Sequence, residues 1–467
     1  MERERLKREF IANPDRFIDA FLDLIELNKK LETRIIYLEG QLAKNSSNSS
    51  KPPSSNGFKK TKSLRKPTGK KPGGQKGHKA GNLAPVQKPD IIERHKVCFC
   101  KQCGKSLSNQ PATGYDTRQV FDLPPQKIII TEHSAETKQC SCGCYNTASF
   151  PEGVTQKVQY GPHITAQIVL MNTGHFIPVQ RTQEYFKDLC GHIISTGTII
   201  NMLTRASQGL EHFEKGIKKA LINSSVLNGD EPAIQVGKKL HWVHSLSTSK
   251  MVLYNIHQKR GRKAMDEFGV LPYFNGVLVH DFWKAYFFYT FLHAMCNAHI
   301  LRELKFEEEE RKQSWAKKMA LLLISMKKKV ESISVPKRSP FLQHALLRYD
   351  KIVTSGLKAN PKISQNGKRG RTAQSSTRNL LERLRDYRAE ILLFTKRKDI
   401  PFDNNLAERD IRMVKLKSKI SGCFRSIEGA KAFFRIRGYI ATARKQGISM
   451  YEALVALADG RPLTLLC

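Results

Sequence analysis

Between residues 15 and 43 the apolar positions recur in heptads. Phe17, Leu24, Leu31 and Leu38 share one core position, and Phe21, Asn28, Ile35 and Leu42 share the other. The pattern predicts a helix that buries one stripe in a short parallel coiled coil. Asn28 at a core position is a residue type that fixes register and strand number at some cost in stability. A single amphipathic helix packed on its own chain produces the same stripe.

The stripe stops at Lys44. From there to about Asp90 the chain reads NSSNSSKPPSSNG and then KKPGGQKGHKAG, rich in Ser, Pro, Gly and Lys. Such a segment cannot bury enough apolar surface to fold alone and is expected to be a flexible basic linker. Helical spacing returns in PVQRTQEYFKDLCGHIISTGTIINMLTRA, residues 178–206. A helix should end near Cys190 and Gly191, and Ser195 should cap a second one carrying Ile199, Ile200 and Leu203. This is helix-turn-helix spacing, although two short packed helices with no further role share it.

From Ser225 the period shortens to two. VLNGD, KKLHWVHSLST and MVLYNIHQ predict three strands, Arg262 to Phe268 a helical piece, and NGVLVHD a fourth strand. Asp230 ends the first strand and Asp281 the last, and this order is that of a ribonuclease-H-like α/β core. After Asp281 the pattern is helical to about residue 395, with a loop over 364–376. A helical insertion is therefore expected before the core resumes around Glu408. The fold class is multidomain α/β: a coiled-coil dimerisation helix (1–44), a basic linker (45–90), a cysteine-rich module (91–150) and a helix-turn-helix-like region (151–222). The core follows in two parts (223–300 and 396–448) around the insertion (301–395), and a C-terminal helix and tail close the chain (449–467).

Charge narrows the partners. Lys and Arg number 79 against 42 acids, a net charge of +37, which favours a polyanion because neutralised phosphates release counterions. The segment Pro401–Arg425 concentrates this bias. If helical, it sets Glu408, Arg412, Lys415 and Lys419 on one face, beside an apolar stripe of Ala407, Ile411 and Val414. An acid within a phosphate-binding face suggests that metal and nucleic acid meet there; an i,i+4 Glu–Arg pair on a solvated helix is the plainer reading. The linker then becomes a tether able to track a DNA backbone, or remains inert. The run Met319–Met326 is too short to span a bilayer, and MERERLKREF lacks a signal-peptide core. A soluble, cytoplasmic, nucleoid-associated protein with no membrane partner is expected.

In a reducing compartment, six of the ten cysteines crowded between Cys98 and Cys144 read as metal ligands rather than disulfides. Cys100-x-x-Cys103-Gly forms a first knuckle. CSCGC offers Cys140 with Cys142, Cys140 with Cys144, or Cys142 with Cys144 as the second pair. Cys100, Cys103, Cys140 and Cys142 are taken to hold a structural zinc, with Cys144 as the alternative, and strands such as Gln126–Thr131 run between the knuckles.

Phosphodiester chemistry needs charge neutralised on the attacking and leaving oxygens, which two divalent ions about 3.5 to 4 Å apart supply. Mg²⁺ or Mn²⁺ takes hard oxygen ligands, so two Asp and one Glu suffice. Asp230 is assigned to bridge both ions, Asp281 to hold one and Glu408 the other. Glu231 competes with Asp230, and Asp403 and Asp410 with Glu408. His280 and His299 tempt a zinc or general-base reading, but a His beside a strand end is more often structural.

With these residues in view, the chain resembles the insertion sequence 66 family of transposases, which carry an Asp-Asp-Glu active site. The resemblance covers nearly the whole length. It rests on the zipper followed by NSSNSSKPPS, GGQKGHKAG, the cysteine module, VQYGP, the Gly-Asp-Glu at 229–231, HDFWKAYF, CNAHILREL, NNLAERDIRMVKLKSKISGCFRS and TARKQG. It implies that Asp230, Asp281 and Glu408 are the catalytic triad of a metal-dependent DNA cleavage and strand-transfer enzyme. It implies Arg409 and Arg412 as contacts to terminal DNA, joined by Lys415 and Lys419 on the same helix. The partners implied are double-stranded DNA (terminal inverted repeats and target), a homodimer or higher oligomer, and accessory proteins of the same element. Two departures stand out: Pro232 replaces the usual Thr after the first Asp-Glu, and the second knuckle is compressed. The rival is a transposase-derived DNA-binding protein without turnover; a ribonuclease-H-like nuclease lacking strand transfer would leave the zipper and cysteine module unexplained.

Overall fold

The computed structural model describes residues 2–45, 48, 49, 77, 81, 83–333, 339–363 and 374–464. The tether expected over 45–90 and the loop over 364–376 fall mostly outside these residues. Helix α1 (Glu2–Ala12) and helix α2 (Pro14–Ala43) open the chain. Asn13 ends the first and caps the second, its side chain accepting from the Arg16 N–H, with Pro14 in the first turn. No residue of α2 is buried, and Phe21, Leu24, Leu31 and Ile35 lie exposed along its heptad face.

The cysteine-rich segment is built from tight turns. Strands β1 (Thr137–Gln139) and β2 (Tyr145–Thr147) pair antiparallel across the CSCGC turn. Gln126–Thr131, expected to be a strand, is irregular, and Ile129 and Ile130 are exposed. A β-branched run forms no ladder without a partner strand, so local propensity alone does not make this segment extended sheet.

Four helices precede the main sheet: α3 (Pro162–Val169), α4 (Val179–Cys190), α5 (Thr196–Gln208) and α6 (Glu211–Ile222). Gly191 ends α4 in the left-handed region at φ 65°, and the Ser195 Oγ accepts from the Thr198 N–H at 3.0 Å to start α5. Both boundaries follow the sequence signals. The outward face of α5 carries Ile200, Asn201, Thr204 and a single cation, Arg205.

The sheet contains β3 (Val226–Asp230), β4 (Ala233–Val236), β5 (Lys239–Ser247), β6 (Val252–His257), β7 (Val277–His280) and β8 (Leu292–Met295), with helix α7 (Arg262–Phe268) between β6 and β7. β3 and β4 keep one register against β5, with Asp230 opposite Ser245 and Ala233 opposite Trp242. Pro232 between them has no N–H to give the ladder, yet its carbonyl accepts from the Val243 N–H at 2.9 Å. The two therefore run as one interrupted strand. Across the sheet the order is β6, β5, β3 with β4, β7, β8; β5 is antiparallel to its neighbours, and β7 and β8 run parallel to β3. Sequence periodicity found β3, β5, β6 and β7. It missed β4 and β8 but found the equally short β7, whose fully buried Val-Leu-Val run marks a strand without alternation, whereas β4 and β8 mix apolar and polar residues too briefly to show a period.

Beyond β8 come α8 (Asn297–Glu309), α9 (Ser314–Glu331), α10 (Pro340–Ala359), α11 (Ser376–Asp386), α12 (Arg388–Ile391), α13 (Asn405–Ser421), α14 (Ile427–Lys445) and α15 (Met450–Ala458). Alternation along the strands divides the core. Leu227, Leu246, Leu253 and Leu278 pack with α6, α7, α14 and α15, whereas Val277, Val279, Ala294 and Met295 pack with α8 to α12. Burying each of these side chains contributes about 1.5 to 3 kcal/mol. At the outer edge, Val252 of β6 exchanges hydrogen bonds with Thr442 Oγ1 of α14, at 3.1 and 3.4 Å, which occupies backbone groups an edge strand would leave open. No helix among the described residues is long and apolar enough to cross a membrane.

At the entry to β7 the chain passes so close to β3 that a Cβ on Gly276 would sit 2.6 Å from the Ser225 carbonyl and 2.7 Å from that of Ser224. Backbone cannot yield as a side chain can. Gly276→Ala is expected to lower stability by about 2 to 3 kcal/mol in denaturant titration, whereas Gly261→Ala, with open space around it, should change it by less than about 0.5 kcal/mol.

Candidate active site

Helix α13 sets its N-terminus against the C-terminal ends of β3, β7 and β8. Ala407, Ile411 and Val414 face inward and are buried, as the apolar stripe requires, and Arg409, Arg412, Lys415 and Lys419 are exposed. What holds the helix there is Asn404, 3% exposed. Its Nδ2 donates to the Gly229 carbonyl at 2.8 Å and its Oδ1 accepts from Asn228 Nδ2 at 2.8 Å. Its backbone N–H donates to Cys296 Sγ at 3.2 Å, and the Asn297 N–H donates to the Phe402 carbonyl at 3.1 Å. A Cβ on Gly229 would crowd Leu278, Leu246 and the Tyr286 hydroxyl at 3.3 to 3.4 Å, so each would have to give by a few tenths of an ångström. The start of α13 is thus tied directly to the strand that ends in Asp230.

Asp281 and Glu408 both lie within electrostatic reach of Asp230, although the three carboxylates do not form a set with oxygens all within 4.8 Å of one another. Burial first, and then the charge of Asp281, push the Asp230 carboxyl up to about 6; Glu408 adds to the rise, while the Glu231 N–H at 2.8 Å and the Lys415 charge oppose it. Asp281, one residue beyond β7, accepts the Trp283 N–H at 3.0 Å. The neighbouring His280 is fully buried, bonds the Asp281 carbonyl through Nδ1, and is pushed down to about 3 by burial and by His293. Neutral and enclosed, it orients the backbone of Asp281.

The competing acids point elsewhere. Glu231 accepts from the Tyr286 hydroxyl and from Arg260 at 2.6 and 3.2 Å, with Arg260 stacked 4.2 Å over Trp283. Burial first, and then the charges of Asp281 and Asp230, lift its carboxyl to about 7, against the bonds from Tyr286 and Arg260. Asp403 pairs with Lys327 at 3.8 Å and Asp410 with Lys445 at 2.7 Å. Glu408 likewise has a cation partner, Arg302 at 3.5 Å, so ion pairing alone does not set it apart from Asp403. Hard-oxygen donors that repel one another suit divalent cations of the magnesium class. Asn404, Arg302 and Cys296 are not marked as functional by the sequence, and His299, which tempts a zinc or general-base reading there, is read as structural. The doubled Asn before a helical pattern is a capping signal, and Cys296-x-x-His299 is a spacing that places both on one helical face.

In the cysteine module the two turns match. The Cys100 N–H donates to the Lys105 carbonyl and the Cys140 N–H to that of Cys144, at 2.9 and 2.8 Å. Phe99 bridges Ser106 as Gln139 pairs Tyr145. Gly104 and Gly143 take positive φ of 73° and 87°. Cys140, Cys142 and Gly143 therefore occupy the places of Cys100, Cys103 and Gly104, and Cys144 that of Lys105. The second turn is one residue shorter.

Residues 157–432, more than half of the chain, match the Transposase IS66 family. The chain belongs to the IS66 transposase family. The match runs from before α3 into α14 and so contains Asp230, Asp281 and Glu408. Residues 98–143 match the zinc-finger binding domain of transposase IS66, and residues 7–84 a family of unknown function. An 84-residue stretch, 18% of the chain, is 36% identical to the uncharacterized protein y4jO of Sinorhizobium fredii (strain NBRC 101917 / NGR234) and covers 26% of that relative, about a quarter of its length.

The raised Asp230 carboxyl makes the IS66-family site a source of instability without metal. Its folded form holds the proton more tightly than the unfolded chain, so stability falls as pH rises from about 4 to about 6. In magnesium-free buffer at pH 8, Asp230→Asn should be more stable than the parent by on the order of 1 to 2 kcal/mol, an advantage that vanishes at pH 4; equal melting shifts at both pH values would contradict it. Asn404→Ala strands the Gly229 carbonyl and the Asn228 amide, and its cost in thermal unfolding should be about 2 to 4 kcal/mol.

Proposed function

We propose that this chain is a metal-dependent DNA transposase that cleaves element ends and joins them to a target, on a ribonuclease-H-like core interrupted by the helices over 301–395. One observation carries the reading: Asp230, Asp281 and Glu408, far apart in sequence, lie close enough for the latter two charges to lift the first carboxyl. Asp230 would bridge two Mg²⁺ or Mn²⁺ ions, Asp281 would hold one and Glu408 the other. When bound, these ions supply positive charge to the attacking and leaving oxygens of a phosphodiester.

The chain's own groups do the rest. Lys415, already within electrostatic reach of Asp230, and the exposed Arg409, Arg412 and Lys419 would hold the backbone phosphates of terminal DNA along α13. Arg260, stacked on Trp283 and bound to Glu231, would keep that acid out of the ion site. Cys100, Cys103, Cys140 and Cys142 would hold a structural zinc, a set supported by the equivalence of the two turns. The exposed heptad face of α2 would pair copies of the chain, and α4 with α5 would add a DNA contact beside the basic tether. The partners are then terminal and target DNA, further copies of this protein and accessory proteins of the same element.

The decisive assay is cleavage and strand transfer on DNA carrying the element's ends. Glu408→Gln and Asp230→Asn should each lose at least about 100-fold in rate while binding that DNA within about twofold, with an affinity that drops steeply as salt rises. Full turnover in both variants would reject the assignment; end binding by a parent that never cleaves would instead favour a DNA-binding protein without turnover. Metal analysis checks the zinc: Cys103→Ser should lose about one equivalent of zinc per chain and Cys144→Ser none.

A further inference from the structure

Beside the acid cluster, donors of a different chemistry converge. Cys296 is the residue at which α8 begins, His299 lies in the first turn of α8, and Glu408 lies in the first turn of α13. One ligand atom from each falls within 4.8 Å of the other two, the set of three His, Cys, Asp or Glu so placed among the described residues. The spacing Cys-x-x-His sets the first two on one face of α8. Cys296 is fully buried, with its N–H bound to the His280 carbonyl at 2.9 Å and its sulfur accepting the Asn404 N–H at 3.2 Å. The bond from Asn404 places Sγ against the start of α13, while burial, ahead of smaller effects, pushes the metal-free thiol up to about 11.

His299 adds an independent sign. Its Nδ1 is buried and has no hydrogen-bond partner. A buried polar nitrogen left unsatisfied costs about 1 to 3 kcal/mol, and here it stands next to a thiol and a carboxylate. Arg302, 3.5 Å from Glu408, is the cation that opposes occupancy. It bonds one carboxylate oxygen loosely and leaves the other without a cation partner.

A sulfur, an imidazole nitrogen and one carboxylate form a poor set for magnesium, which takes oxygen ligands in near-octahedral geometry. They match Zn²⁺ and its borderline-soft neighbours, which accept all three donors in tetrahedral sites, and three protein ligands leave the fourth position open. We propose that Cys296, His299 and Glu408 form a second metal site, for a Zn²⁺-class transition ion, which competes with the hard-ion site for Glu408. Binding releases the Cys296 thiol proton to solvent and holds the Glu408 carboxylate beside α8, where it already lies, so that the hard-ion site loses it. The site itself stands on geometry; the competition rests on the reading of Glu408 as a ligand in the catalytic centre. Occupancy would stop cleavage and leave DNA binding intact.

The test uses full-length protein with its cysteine module already filled with zinc, titrated with Co²⁺. The parent should develop a thiolate-to-cobalt charge-transfer band together with the visible bands of four-coordinate cobalt. Cys296→Ser should lose the charge-transfer band, and His299→Gln should bind Co²⁺ at least about tenfold more weakly. Circular dichroism confirms folding, and His299→Gln decides the matter if Cys296→Ser does not fold. A parent without the band, or a band unchanged in both variants, overturns the site and leaves the proposed activity untouched. In the second arm Zn²⁺ is added to magnesium-supported cleavage: inhibition should need at least about tenfold more Zn²⁺ in His299→Gln than in the parent, and equal sensitivity overturns the competition. Cobalt binding that persists in a protein with no magnesium-dependent cleavage sustains the site and rejects the catalytic reading instead.

Discussion

A buried amide holds two distant elements together and brings Glu408 within electrostatic reach of Asp230. Asn404 satisfies a carbonyl and a side chain of β3 while its own N–H engages Cys296, so the first turn of α13 is fixed relative to β3 and the β8–α8 junction at once. Each bond replaces one that water would have made, and the net gain per bond is only about 0.5 to 1.5 kcal/mol. Their value is geometric. A carboxylate on α13 cannot be placed beside Asp230 by hydrophobic packing alone, since the stripe of Ala407, Ile411 and Val414 sets which face is buried and not how far the helix slides along the sheet.

Around that junction the structure sorts like charges by what each one touches. Glu231, Asp403, Asp410 and Glu408 have guanidinium or ammonium partners at 2.6, 3.8, 2.7 and 3.5 Å. Asp230 and Asp281 have backbone N–H groups and each other. The resulting repulsion is a stored cost that a cation relieves, and Glu231 shares it, its carboxyl raised by burial and then by Asp281 and Asp230. The proline after Glu231 interrupts the ladder without changing its register.

Much of this was legible in the residues. The helix over Asn405–Ser421, its buried stripe, the capping Ser195, the left-handed Gly191 and strands β3, β5, β6 and β7 all follow from period, apolar runs and punctuation. Glu408 stands out in the sequence by the cations around it, with Asp403 and Asp410 as its neighbours. Strands β4 and β8 were not legible, since four mixed residues establish neither an alternation nor an apolar run, and the Gln126–Thr131 run misled because β-branched residues declare a preference that only a neighbouring strand can satisfy. Asn404 and Cys296 escaped notice for a different reason. Their partners are set by tertiary contact, with Asn228 and Gly229 on one side and α8 on the other, and no local pattern encodes those distances.

The helices between Asp281 and Glu408 carry a consequence of their own. They form a separate part of the core against Val277 and Val279, and α13 can reach β3 only after they have collapsed onto the sheet. Contacts across so long a stretch form late. A chain emerging from the ribosome thus carries Asp230 and Asp281 long before Glu408, and the cations of α13 arrive together with that last acid. A product ending inside the insertion would lack the acid and the cationic face alike.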